Sequence, residues 1–99
     1  MATYAELYDL RSDETLLNRI TVAAAIKAQS LIDGVVPTAA QIAWANETIV
    51  DPRSKARALI NYVLAANESA TVAQIKAATD ATIQTNVDAA ADALIAGGI

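Results

Sequence analysis

Few side chains in this sequence are of a type that does chemistry, and their spacing limits what each can do. Histidine and cysteine are absent. That removes the usual general base near neutral pH, the thiolate nucleophile and the common zinc ligands. Asp88 and Asp92 stand four residues apart, so on a helix both carboxylates share a face and both could meet one cation. Calcium takes about six to eight oxygens, and no oxygen-rich loop adjoins this pair, so a solvated helix face is the favoured reading. There is no glycine-rich phosphate loop, no Ser-x-x-Lys and no histidine to activate a serine. Asn46-Glu47-Thr48 and Asn67-Glu68-Ser69 match the glycosylation acceptor pattern, which reads as chance without a secretory signal. The expectation is a protein that is not an enzyme, with no catalytic residue, metal site or cofactor.

The one basic cluster is Arg53, Lys55 and Arg57. On a helix Arg53 and Arg57 share a side and Lys55 points elsewhere, so the three do not form a continuous stripe. They could touch a phosphate backbone or an acidic protein surface. The simplest reading is solvated side chains near a helix start, partly offset by Asp51. At an interface rim such charges would guide association and register more than affinity. Eleven acids against seven bases give a net charge of −4, the wrong sign for a generic nucleic-acid binder.

The elements that must position these groups are helices. Of 99 residues, 24 are alanine and 30 are larger apolar side chains, enough for one small core and a single helical domain over residues 1–99. Thr3 with Glu6, Thr38 with Gln41 and Thr71 with Gln74 each form a capping box. Ser12 or Asp13 can cap a second helix, Asp51-Pro52 is a cap followed by proline at the first helical position, and Thr79-Asp80 opens the last helix. Gly34 is expected to stop the second helix through a left-handed conformation, and Gly97-Gly98 to end the last. Helices are predicted near 4–11, 13–33, 39–50, 52–66, 72–78 and 80–96. The fold class is all-α: a compact helical bundle with one long central helix, about 13–33, and four or five shorter ones.

Projection at 100° per residue separates core stripes from surplus. Ile83, Val87, Ala90 and Leu94 share a face of the last helix, and Ala56, Leu59, Ile60, Val63 and Ala66 a face of the fourth. Leu16, Leu17, Ile20, Ala24, Ala28 and Leu31 form the main face of the long helix. Val22 and Ile26 lie on its opposite side, so this helix is either wrapped by its own chain or shared with another subunit. In the third helix the expected stripe is Ile42, Ala45 and Ile49. Trp44 then points away from it, either as an interface anchor or covered by the first helix through Tyr4, Leu7 and Tyr8. The candidate protein-interface residues are thus Val22, Ile26, Trp44, Arg53, Lys55 and Arg57.

Met1 to Leu10 is acidic and lacks the apolar run of a signal peptide, and the longest apolar stretch, Val22 to Ile26, is far below the roughly 20 residues that cross a bilayer. Synthesis in the cytoplasm, without a membrane partner, is the expectation.

Several segments carry a resemblance by their order. Thr3, Tyr4, Glu6 and Leu7 lead into Leu16-Leu17-Asn18-Arg19-Ile20-Thr21-Val22-Ala23 and an alanine-rich helix. Ile42-Ala43-Trp44-Ala45 follows, then Val63-Leu64-Ala65-Ala66-Asn67, and a closing stretch from Ala78 to Asp88. Together these resemble small virion structural proteins of tailed bacteriophages, over most of the chain. Such all-helical proteins often serve as head–tail connector, or adaptor, subunits in a ring beneath the portal. The resemblance implies a homo-oligomer in the virion neck, contacts to the portal protein and to tail or neck proteins, and DNA passing through the lumen without sequence-specific binding. An acidic lumen suits passage because it repels the duplex. Capsid decoration, a tail or baseplate component and a small regulatory helical binding module are the alternatives. No site residue follows from the resemblance.

Overall fold

Each helix begins where a side chain takes up an otherwise orphaned backbone N–H. In the computed structural model, which describes residues 1–97, the elements are α1 (Tyr4–Leu10), α2 (Glu14–Ile32), α3 (Ala39–Val50), α4 (Pro52–Ala66), α5 (Val72–Lys76) and α6 (Asp80–Gly97). The capping boxes at Thr3–Glu6, Thr38–Gln41 and Thr71–Gln74 are closed in both directions. Asp13 rather than Ser12 caps α2, accepting from the Leu16 N–H at 2.8 Å. Asp51 accepts from the Ser54 N–H at 3.1 Å ahead of α4, with Pro52 in the first turn. Thr79 accepts from the Thr82 N–H at 3.1 Å and opens α6. No strand occurs among the described residues, and the all-α expectation holds.

Some details differ from expectation. Gly34 does not enter the left-handed region; its N–H donates to the Leu31 carbonyl at 3.2 Å, and an added Cβ would stand 3.1 Å from that oxygen. Its small size here serves a close backbone approach. α5 ends at Lys76, two residues short of the predicted 78, and the carbonyls of Lys76 and Ala78 receive hydrogen bonds from Arg19 instead. α6 runs through Gly97, whereas Gly98 lies outside the described residues.

α2 is central because α3, α4 and α6 all pack on it. It is not alone in length, since α2 has 19 residues and α6 has 18. The main apolar face of α2 is buried as expected, with Ala23 added at its edge. So are Ile83, Val87, Ala90 and Leu94 of α6. On α4 the buried stripe is Ala56, Leu59, Ile60, Val63 and Leu64, and Ala66 is exposed. Fully buried Ala24, Ala28, Ala45, Ala56 and Ala91 add little apolar area but let helix axes approach closely. Each buried Leu, Ile or Val contributes about 1.5–3 kcal/mol, so the core rests mainly on Leu16, Leu17, Ile20, Leu59, Ile60 and Val87. At the chain start, the Ala2 N–H donates to the Ala70 carbonyl at 2.8 Å and Leu10 is buried, which anchors α1 at both ends.

Candidate interaction surface

The candidate residues fall into three situations. Val22 and Ile26 are 60% and 54% exposed, although their helix is the centre of the bundle. They are one turn apart on α2, turned away from Leu17, Ala24 and Ala28. The chain's own helices do not wrap them. With Arg19, Ala23, Asp80, Ile83 and Gln84 they line an open groove of about 330 Å³ between α2 and α6.

Polar clips surround this groove and hold its shape. Arg19 donates to the Ala78 carbonyl at 2.6 Å and to Asp80 at 2.8 Å, tying α2 to the α5–α6 turn. Gln84 donates to the Ala23 carbonyl at 3.0 Å and to Asp88 at 2.8 Å. Lys27 pairs with Asp92 at 2.9 Å. Asp88 and Asp92 therefore serve different partners, and the described residues contain no group of three or more potential metal ligands. An apolar centre inside a polar rim is the general anatomy of a protein–protein contact.

Of the two readings of Trp44 the covered one holds, whereas the expected stripe of α3 does not. Trp44 is 5% exposed, together with fully buried Ala45 and Thr48, while Ile42 and Ile49 are 42% and 52% exposed. Both candidate stripes of α3 contain Ala45, so a rotation of the helix about that residue chooses between them. α3 packs against α2, α4 and α6, and it presents the indole to the core, where a single tryptophan buries on the order of 200 Å². Trp44 is thus not a surface anchor. The Thr48 hydroxyl donates to the Trp44 carbonyl at 2.7 Å, which satisfies the one buried polar side chain among the described residues and removes the threonine of the Asn46-Glu47-Thr48 pattern from solvent. In the second such pattern, the Asn67 side-chain amide donates to the Val63 carbonyl at 2.7 Å.

The exchange creates a second apolar surface that sequence reasoning missed. Ile42, Ile49 and Val50 of α3 are exposed, as are Val35 and Val36 in the preceding turn. The signal was present in the sequence, since the Ile42–Ile49 and Trp44–Thr48 stripes are equally periodic, but periodicity does not say which one faces inward.

The basic cluster is mostly committed within the chain. Arg53 pairs with Glu14 and donates to Asn18 at 3.1 Å, joining the start of α4 to the start of α2. Lys55 pairs with Glu47 at 2.6 Å, joining α4 to α3. Arg57 has no ion pair among the described residues and lines an open cavity with Tyr8, Arg11, Ser12, Glu14, Leu17 and Ile60.

Fold and surface together define a class: a small all-α bundle with two exposed apolar surfaces on different helices and a cleft bearing unpaired arginines. No helix among the described residues is long and apolar enough to cross a membrane. No family model, curated protein sequence or solved structure matches the chain.

Proposed function

We propose that this protein is a structural subunit of a tailed-phage virion: a head–tail connector that forms a homo-oligomeric ring at the neck, through which DNA passes. The observation that carries the assembly part of this reading is the exposed Val22–Ile26 pair on the central helix. A second exposed apolar surface at Ile42, Ile49 and Val50 supports a ring over a two-fold dimer. A head-to-tail ring joins two different patches of each subunit, whereas a two-fold contact uses one patch twice. The placement in a phage neck rests on the segment resemblance, and the net charge of −4 suits a lumen that lets the duplex slide. The partners are then further copies of the chain, the portal protein above and tail or neck proteins below, with no cofactor and no catalysis.

Light scattering on the purified protein, alone and with purified portal, tests this reading. A ring that forms on the portal supports it, and so does loss of that ring in Val22→Ser/Ile26→Ser with helicity and melting unchanged. A strict monomer that ignores the portal overturns it in favour of a regulatory binding module. Assembly on capsid or baseplate proteins instead would move it elsewhere in the particle.

A further inference from the structure

Five of the seven basic side chains are held by carboxylates of this chain: Arg19, Lys27, Arg53, Lys55 and Lys76. Arg11 and Arg57 have no such partner among the described residues, and both line the same open cavity of about 370 Å³ between the α1–α2 turn and α4. Glu14 also lines this cavity, but its Oε2 pairs with Arg53 and not with either of these arginines. Two guanidiniums without a carboxylate partner on one cavity offer charge complementarity to an anion. Arg11 lies over the Tyr8 ring at 5.2 Å, an arrangement that holds a planar fork ready for a carboxylate.

Tyr8 and Arg11 also line an adjoining cavity of about 270 Å³, whose other walls include Tyr4, Leu7, Leu64 and Glu68. The cleft thus has a basic end, an aromatic and aliphatic middle, and an acidic side at Glu68. Tyr4 and Tyr8 are 84% and 57% exposed, and tyrosine and arginine are both among the residue types enriched where proteins meet.

We propose that this cleft docks a short segment of a protein partner, with a carboxylate held by Arg11 and Arg57 and an aliphatic side chain against Tyr4, Leu7 and Leu64. Glu68 sets the direction of the segment by rejecting a second carboxylate at the far end. A nucleic acid fits less well, because a duplex brings a charge about every 1.7 Å to a surface with one arginine pair and a net charge of −4. The inference is independent of the virion reading, since it concerns a different surface from Val22 and Ile26.

The test is a nitrogen-15 NMR titration of the full chain with an acetylated, amidated tetrapeptide reading Glu-Leu-Leu-Lys. The expected result is that the Nε–Hε signals of Arg11 and Arg57 shift together with the Tyr8 and Leu64 amides. Arg11→Ala, Arg57→Ala or glutamine in place of the peptide's glutamate should each weaken binding about tenfold. Lys55→Ala, whose charge is already paired, should change it less than about twofold. No shift at millimolar peptide, or affinity indifferent to Arg57→Ala, overturns the proposal. It is equally overturned if a DNA duplex occupies the same signals more tightly than the peptide, or if dilution of the protein alone moves them.

Discussion

Arg19 on α2 and Asp80 at the start of α6 form a 2.8 Å ion pair across 61 residues of sequence, yet the two ends of that pair are unequal. Asp80 is 96% exposed at its side chain, whereas Arg19 is 27% exposed and also donates to the partly buried Ala78 carbonyl at 2.6 Å. Asp80→Ala loses only a solvated charge pair, so its cost should be below about 1 kcal/mol. Arg19→Ala leaves the end of α5 without its donor and should cost about 1–3 kcal/mol. Urea unfolding of the two variants separates them, and equal costs would show that the carbonyl contacts contribute nothing.

The same kind of asymmetry applies to α3. Trp44→Ala empties a core site and should cost about 3–5 kcal/mol, while Ile42→Ser and Ile49→Ser, on the exposed side, should each change stability by less than about 1 kcal/mol. Trp44 is the only tryptophan, so its fluorescence gives a direct check: a blue-shifted emission that moves red on unfolding. An emission already red in the folded protein would return Trp44 to the surface.

On α2, Ile20 and Ile26 are the same residue type on two sides of one helix, 0% and 54% exposed. Ile20→Ala should cost about 2–5 kcal/mol, and Ile26→Ser or Val22→Ser about 0.5 kcal/mol or less in the monomer. Thermal melts at a concentration where the chain is monomeric measure this. A large loss for Val22→Ser would mean that the groove beside α6 depends on it for folding.

Glu6 gives the one pH dependence that the geometry defines. Its carboxylate accepts the Thr3 backbone N–H at 2.9 Å, and this bond, reinforced by the Thr3 hydroxyl, holds its pKa below the ordinary glutamate range. A carboxyl whose pKa is lower folded than unfolded stabilises the fold above its unfolded value, and that contribution is lost as pH falls through the folded value. Fraying of α1 should therefore increase in acid, and it should be seen first as a lower protection of the Thr3 amide relative to its intrinsic exchange rate at the same pH. Glu6→Gln keeps an acceptor for that N–H and should remove the pH dependence, which carbon-13 titration of the carboxyl and amide exchange together would reveal.

What could be read in the sequence follows from how far each interaction reaches. The capping boxes at Thr3, Thr38 and Thr71, the Asp51-Pro52 start and the core stripes of α2, α4 and α6 are decided within one or two turns of chain. Their residue types therefore determine them, and the all-α class follows. The exposure of Val22 and Ile26 was left open because it depends on whether another helix arrives, and α6 reaches only the edge of that face, at Ala23 and Gln84. The orientation of α3 was not legible at all. Two stripes of equal period share Ala45, and only the shape of the surface offered by α2 and α4 selects the one with Trp44. The arginine cleft belongs to the same class of fact. Arg11 and Arg57 look unrelated along the chain, and the packing both brings them to one cavity and pairs the carboxylate in its lining, Glu14, with Arg53. Short-range hydrogen bonding and periodicity set the helices; the competition among helices for core space, and among cations for carboxylates, set the surface.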